Sequence, residues 1–152
     1  MRIVYGLLII LMVLPGCQRP SGINRLHLEG PLCGTWLMEN ATYTGSDLKV
    51  TVTSDERTCY KLMSGEHFAV IEMYKANPDS QFFAAVGTYE TTDSTYTEYY
   101  EASNTPAKVG TKMVFKYELQ GDLWTIENQT SGMTMVEHWE RVSKPVVNKA
   151  GM

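Results

Sequence analysis

The chain has few of the residue types that metal and redox chemistry need. Its 152 residues include only three cysteines and three histidines. No two cysteines form a CxxC pair, and the histidines form neither an HxH nor an HExxH pattern. Those spacings are typical of zinc sites and redox dithiols. We therefore expect no metal site and no cofactor.

Positive charge is also scarce. The chain has 13 Lys and Arg against 17 Asp and Glu, which gives a formal net charge of −4. Because cationic contacts to phosphate dominate nucleic-acid binding, this balance argues against a nucleic-acid partner. The sequence also lacks a serine nucleophile elbow and a phosphate-cradling glycine loop, so no motif identifies a catalytic residue.

Residues 1–17, MRIVYGLLIILMVLPGC, have the layout of a signal peptide. Arg2 gives a positive start, and the apolar run that follows is shorter than the ~20 residues of a transmembrane helix. The Cys directly after Gly16 resembles the lipobox of bacterial lipoproteins. This resemblance implies cleavage before Cys17, a diacylglycerol on its sulfur and membrane attachment in the bacterial cell envelope. Residue 18 is Gln and not the Asp that holds lipoproteins at the inner membrane in some bacteria, so the resemblance favours the outer membrane. The alternative is an ordinary secretory signal with a coincidental Cys.

This interpretation divides the chain into four parts. Residues 1–16 are the signal, 17–31 a tether, 32–142 one β domain and 143–152 a disordered tail. The mature part of roughly 136 residues is long enough for one domain. Cys33 and Cys59 then remain, and in an exported protein they either form a disulfide or are two buried free thiols.

The domain has the composition of strands rather than helices. Val, Thr and aromatic residues are abundant, and no stretch shows a convincing helical stripe. Turn residues separate nine predicted strands: 34–40, 47–54, 57–63, 67–75, 82–90, 95–102, 111–119, 122–128 and 133–142. The short connections predict antiparallel neighbours, and eight or nine such strands can close into an up-and-down barrel. A Greek-key sandwich is the alternative, but it needs longer crossovers.

Alternation assigns faces in two of these strands. On strand 111–119 it predicts an interior set of Met113, Phe115, Tyr117 and Leu119. On strand 133–142 it places on one face Met133, Met135, Glu137, Trp139 and Arg141. On strand 95–102 both faces are polar and aromatic, so alternation does not decide whether Tyr96, Glu98 and Tyr100 lie inside.

Gly34-Thr35-Trp36 opens the first predicted strand, and Arg141 closes the last. This pairing resembles the lipocalin and calycin superfamily, in which a GxW motif begins strand one and a late Arg packs across the Trp ring. Four further segments resemble the lipocalin-like domains of small, uncharacterised bacterial lipoproteins: SGEHFAVIEMY (64–74), VGTY (86–89), YTE (96–98) and EHWERV (137–142). The resemblance covers about residues 33–142. It implies an all-β lipocalin-like barrel with a ligand cavity, and no known ligand.

Our first functional hypothesis is a lipid-anchored, non-enzymatic protein that holds a small apolar or amphipathic molecule. Nine Met and many aromatic residues suit an adaptable apolar pocket, although side chains alone can fill a small barrel. The predicted wall residues are Tyr89, Tyr96, Glu98, Tyr100, Phe115, Tyr117 and Trp139. Glu98 either orients a ligand or accepts hydrogen bonds from tyrosine hydroxyls.

Two other hypotheses stay open. The second is a solid barrel that acts as a structural or partner-binding lipoprotein, with an exposed patch of Tyr43, Tyr60 and Tyr99 and an unknown protein partner. The third is an enzyme in which Glu98 and a histidine, His67 or His138, act as acid and base. That mechanism requires the pair to reach one pocket.

Overall fold

A computed structural model describes residues 30–76 and 82–143. Within these ranges the chain forms nine β-strands and a 3-10 helix, Pro106–Lys108. The strands are β1 (Gly34–Thr44), β2 (Lys49–Thr53), β3 (Arg57–Ser64), β4 (His67–Tyr74), β5 (Phe83–Thr91), β6 (Thr95–Ser103), β7 (Lys112–Gln120), β8 (Leu123–Thr130) and β9 (Met133–Ser143). All nine predicted strands are therefore confirmed, most of them to within two residues at each end.

Eight of the strands close into a barrel. From β3 to β9 each strand pairs antiparallel with the next, and β1 closes the sheet by pairing with both β3 and β9. The remaining strand, β2, lies outside this ring and pairs with the second half of β1, from Asn40 to Thr44. The predicted all-β, lipocalin-like up-and-down barrel is confirmed, with β2 as an extra strand outside the closed ring.

Strand β1 differs most from its predicted bounds, because it continues to Thr44 instead of ending at residue 40. It pairs with β9 from Thr35 to Thr44, and the register shifts between Thr35 and Trp36 and again between Met38 and Asn40. The inward positions therefore change from Trp36 and Met38 to Ala41. This irregularity bends the strand and explains why simple alternation ends near residue 40.

Because the strands alternate in direction, the connections gather at two ends of the barrel. The closed end contains residues 30–33 and the turns near 65, 93 and 121, and the open end contains the connections near 55, 107 and 131. Buried apolar side chains fill the closed half, and they include Leu32, Trp36, Phe68, Tyr96 and Trp124. Trp36 Nε1 donates to the carbonyl of Leu32 at 2.7 Å, which ties the segment before β1 to the core.

Arg141 stabilises the closed end of the barrel through several contacts. Its guanidinium carbon lies 4.0 Å from the centre of the Trp36 ring, as the resemblance implies. The same group donates to the carbonyls of Pro31, at 2.5 Å, and Cys33. Gly34 has a φ of 137°, and a Cβ there would lie 2.5 Å from the carbonyl oxygen of Ser143. Only glycine therefore lets β1 and β9 approach so closely.

The predicted signal 1–16, the lipid site Cys17, most of the tether and all of the tail after Ser143 lie outside the described residues. They stay predictions. Gly30 and Pro31, which the sequence assigns to the tether, are described: Cys33 N donates to the Gly30 carbonyl at 3.0 Å in a turn. Within the described ranges, no helix has the length and apolar character to span a membrane.

Candidate functional site

The interior of the barrel carries a buried ion pair. Lys61 Nζ donates to Glu98 Oε1 at 2.6 Å, and their side chains are only 4% and 2% exposed. Glu98 is on β6, whose inward residues are Tyr96, Glu98 and Tyr100, so the structure decides the face that alternation left open. Lys61 is on β3 and was not singled out from the sequence.

The residue pattern of strand β3 explains why the sequence does not point to Lys61. Its inward residues are Arg57, Cys59, Lys61 and Met63, whereas Tyr60 and Leu62 face outward and are 40% and 46% exposed. The two cations therefore lie in the core, whereas Tyr60 and Leu62 face solvent. The available signal was strict alternation, which places Lys61 on the same face as Cys59 and Met63.

Glu98 accepts three hydrogen bonds. Besides Lys61, the Tyr96 hydroxyl donates to Oε1 at 2.7 Å and the Tyr100 hydroxyl to Oε2 at 2.5 Å. Burial alone would raise the pKa of Glu98, but the charge of Lys61 and these hydrogen bonds lower it below its ordinary value. For Lys61 burial would lower the pKa, and the charges of Glu98 and Glu137 raise it above its ordinary value. Both shifts favour the charged forms of the two groups, as expected for an ion pair.

Aromatic rings surround the Lys61 ammonium. Its Nζ lies 4.8 Å from the centre of the Trp139 ring, 5.2 Å from Trp124, 5.4 Å from Tyr96 and 5.8 Å from Phe115. These distances are within the range of cation–π attraction. The rings and Glu98 together replace the water that a buried ammonium loses.

A second carboxyl, Glu137 on β9, lies near this pair. Trp139 Nε1 donates to Glu137 Oε2 at 3.0 Å. Burial raises the pKa of Glu137 above its ordinary value; the Lys61 charge lowers it only in part, and the Glu98 charge raises it further. Glu137 forms no ion pair within the part of the chain that the structure describes.

The third inward carboxyl, Glu72, pairs with Arg57 towards the open end. Arg57 Nη1 lies 2.8 Å from Glu72 Oε1 and 3.3 Å from the Tyr43 hydroxyl. Cys59 Sγ is 4.0 Å from Glu72 Oε2, and burial raises the pKa of this thiol to about 12. Burial that raises a thiol pKa is typical of structural rather than reactive cysteines.

Of the two alternatives for Cys33 and Cys59, the structure has no disulfide between them, and both are buried free thiols. Cys33 lies at the closed end, where its thiol interacts with the Tyr89 hydroxyl. Cys59 lies on the inner face of β3 beside Glu72. The two thiols therefore have different neighbours, and the structure shows the second of the two alternatives.

A cavity of about 210 Å³ lies above the ion pair, towards the open end. It is lined by the polar or charged side chains of Lys61, Glu72, Glu98, Tyr100, Lys108 and Glu137 and by the apolar side chains of Val70, Phe83, Met113, Phe115 and Met135. Three of these also line a groove of about 650 Å³ at the open end, namely Lys108, Met113 and Met135. The cavity and the groove therefore adjoin.

Three of the seven predicted wall residues line this cavity: Glu98, Tyr100 and Phe115. Tyr96 and Trp139 are buried deeper, where both rings contact Trp124. Tyr117 donates to the carbonyl of Thr92 at 3.1 Å, near the closed end. Tyr89 contacts Tyr96 and lines a separate surface groove at that end. These four residues do not face the cavity.

The structure does not assemble an acid–base pair from Glu98 and a histidine. His67 and His138 are exposed on the outer face of the barrel, and His138 Nδ1 lies 3.1 Å from the Thr125 hydroxyl. Glu98 points into the interior. Among residues 30–76 and 82–143, no three His, Cys, Asp or Glu side chains come together as metal ligands.

The predicted exposed patch of Tyr43, Tyr60 and Tyr99 is not present. Tyr43 is partly buried and contacts Arg57, while the Tyr99 hydroxyl donates to Glu90. The outer surface of β3 to β5 instead presents a continuous apolar face. Its exposed members are Tyr60, Leu62, Ile71, Met73 and Val86.

A protein-family model described as "Domain of unknown function (DUF4488)" matches residues 31–150. No curated protein is similar enough in sequence to match the chain. A lipocalin-like protein from Bacteroides uniformis is 17% identical, with a TM-score of 0.48, over 74% of this chain and 99% of its own. An uncharacterised protein from Bacteroides eggerthii is 16% identical, with a TM-score of 0.44, over 70% and 97%. As-p18, an extracellular fatty acid binding protein, is 12% identical, with a TM-score of 0.40, over 75% and 98%.

Proposed function

Because this chain belongs to the DUF4488 family, a domain of unknown function, we propose its function from the barrel interior: it binds one small amphipathic molecule through the open end. The observation that carries the proposal is the interior cavity of about 210 Å³, which adjoins the larger groove. Ligand sites in proteins usually enclose ~300–1,000 Å³. The cavity and groove together provide a space of that size.

The lining suggests how the ligand is oriented. The inner cavity contains the carboxyls of Glu98 and Glu137 and the ammonium of Lys61. The groove at the open end has Met113, Met133 and Met135 along its wall. Methionine side chains are flexible and polarizable, so they adapt to apolar groups of varied shape. The polar end of the ligand therefore points inward, and its apolar part lies along the methionines.

We further propose that the barrel is attached to the bacterial cell envelope by a diacylglycerol on Cys17. The support is the layout of residues 1–17 and the position of Cys17 directly after Gly16. Two acyl chains anchor a protein stably, whereas one binds only marginally. Mass spectrometry of the mature N-terminus tests this proposal. A mature chain that begins elsewhere, or carries no lipid at Cys17, would contradict it.

The binding proposal is tested by native mass spectrometry of the full chain purified from its own membranes. We expect a bound small molecule in the wild type. Met135 lines both the cavity and the groove, so Met135→Trp narrows both and is expected to weaken or abolish binding of that molecule. Val142→Trp, on the exposed outer face of the same strand, adds the same bulk and is expected to keep it. Circular dichroism checks that both variants fold.

One outcome would favour the alternative of a solid barrel that acts through its surface. That outcome is a wild-type protein that carries no bound small molecule, just as Met135→Trp carries none. The observation in favour of this alternative is the apolar outer face of β3 to β5, since large exposed apolar patches often mark interaction surfaces.

A further inference from the structure

The charges inside the barrel are not evenly matched. Two of the three inward carboxylates have a cation beside them: Glu72 pairs with Arg57 at 2.8 Å and Glu98 with Lys61 at 2.6 Å. Glu137 has no such partner within the described ranges. Lys108 at the cavity mouth contacts Met113 Sδ at 3.1 Å and lies over the Tyr100 ring. One inward carboxylate is therefore left without a counter-charge.

Glu137 also has an oxygen available for a ligand. Trp139 Nε1 donates to Oε2, and the described residues place no donor on Oε1. The side chain is partly exposed and lines the cavity. Burial raises the pKa of Glu137, and a cation at this position would favour the ionised form again. A donor that enters the cavity would complete the hydrogen bonding of this carboxyl.

The other cavity walls suit an organic cation. Phe115, Tyr100, Met113 and Met135 line the space beside Glu137. Aromatic faces attract ammonium groups. The barrel already holds one ammonium in this manner, because Lys61 is bound to a carboxylate and surrounded by four rings. A carboxylate ligand would instead lie against Glu137, whose ionised form repels it, whereas the charge of Glu98 is already compensated by Lys61.

We propose that Glu137 binds the ammonium group of a small aliphatic amine, whose hydrocarbon part lies along Met113 and Met135 towards the open end. This inference rests on the proposed function, because it names the ligand class for the same cavity. Its physical basis is that Glu137, alone among the three inward carboxyls of the described residues, has no cation paired with it. The ligand therefore supplies the missing positive charge.

The test compares three probes with the same six-carbon chain: hexylamine, hexanoate and 1-hexanol. Binding to the full-length protein is measured at pH 7 by calorimetry and by tryptophan fluorescence, since Trp139 donates to Glu137. We expect protonated hexylamine to bind at least about tenfold more tightly than either other probe. Glu137→Gln is expected to remove this preference. The control Glu140→Gln, an exposed residue on the same strand, is expected to retain it.

The outcomes separate the two proposals. If hexanoate or 1-hexanol binds as well as hexylamine, and Met135→Trp abolishes that binding, the ammonium inference is overturned and the binding cavity stands. A preference for hexylamine that survives in a folded Glu137→Gln variant also overturns the inference. If no probe binds the wild type, or Met135→Trp binds as the wild type does, both proposals fail.

Discussion

Lys61 and Glu98 form an ion pair in the core of the barrel, with Nζ and Oε1 2.6 Å apart. Removing two charges from water is unfavourable, so such a pair persists only where hydrogen bonds satisfy the remaining atoms. Here the hydroxyls of Tyr96 and Tyr100 complete the hydrogen bonding of the Glu98 carboxylate. Four aromatic rings surround the ammonium. The polar centre of the barrel is thus a closed network between β3 and β6.

The first prediction concerns the loss of one member of this pair. Glu98→Gln keeps the shape of the side chain but leaves the Lys61 ammonium buried without a counter-charge. Breaking a buried pair in this way usually lowers the free energy of unfolding by ~3–5 kcal/mol. Urea denaturation at pH 7 measures the change. The exposed Glu101→Gln on the same strand is the control and is expected to change it by less than ~0.5 kcal/mol.

The double variant Lys61→Met with Glu98→Gln tests the cause. Without the lysine no unpaired ammonium stays buried beside residue 98, so we expect the double variant to be more stable than Glu98→Gln alone. A double variant that loses the sum of the two single effects would show that the two charges do not interact.

The second prediction concerns pH. The raised pKa of Glu137 reflects burial first; the Lys61 charge lowers it, the Glu98 charge raises it, and the Trp139 hydrogen bond and the Arg57 charge lower it. A raised pKa means that the folded protein binds this proton more tightly than the unfolded chain. The contribution to stability is therefore complete below the ordinary Glu pKa of ~4.3 and is lost as the pH rises through the raised value.

Glu137→Gln cannot ionise, so its stability relative to the wild type is expected to increase from pH ~4 to pH ~8. Urea denaturation across this range measures the difference. Both proteins keep Glu98 and Lys61, whose charges interact with Glu137, so the difference reports the titration of Glu137 together with its coupling to this pair. A difference that stays constant with pH would contradict the raised pKa of Glu137.

The third prediction concerns Arg141. Its guanidinium contacts the Trp36 ring, two carbonyls and Asp122 at once. Lysine has one compact ammonium and cannot reproduce these contacts. Arg141→Lys is therefore expected to lower the free energy of unfolding by ~1.5–3 kcal/mol and to alter tryptophan fluorescence. Lys116→Arg on the exposed outer face of β7 should change neither quantity, and equal effects at the two sites would count against the role of Arg141.

The strands and the closed end could be predicted because their signals are local. Turn residues mark each strand boundary, and Gly34, Trp36 and Arg141 form a recognisable motif. Arg57 and Lys61 could not be placed, because charged residues normally face solvent. Only closure of the barrel fixes which face of β3 points inward, and closure depends on pairing between distant strands.

The sequence predicts only part of the candidate site, and the limit has a related cause. Alternation assigns a residue to a face but does not give its depth along the barrel axis. Tyr96 and Tyr100 are both inward on β6, yet only Tyr100 lines the cavity. Phe115 and Tyr117 differ in the same way on β7. Which residues border empty space depends on how the Trp36 and Trp124 rings fill the closed half.

The last prediction concerns Gly87, where β5 meets a register irregularity in its pairing with β6. A Cβ at this position would lie 1.8 Å from the carbonyl oxygen of Tyr99 and 3.1 Å from the amide nitrogen of Glu101. Both atoms belong to the backbone, so the contact is relieved only if β6 shifts. Because β6 carries Glu98, that shift would also move the carboxylate away from Lys61.

Gly87→Ala is therefore expected to lower the free energy of unfolding by at least ~2 kcal/mol. At Gly45 the nearest atom to an added Cβ is Leu48 Cβ at 3.9 Å, so Gly45→Ala is the matched control, with an expected change below ~1 kcal/mol. Urea denaturation compares the two variants. Equal stabilities would mean that β5 and β6 adjust at Gly87 without strain, and the rigid placement of Glu98 would then need another cause.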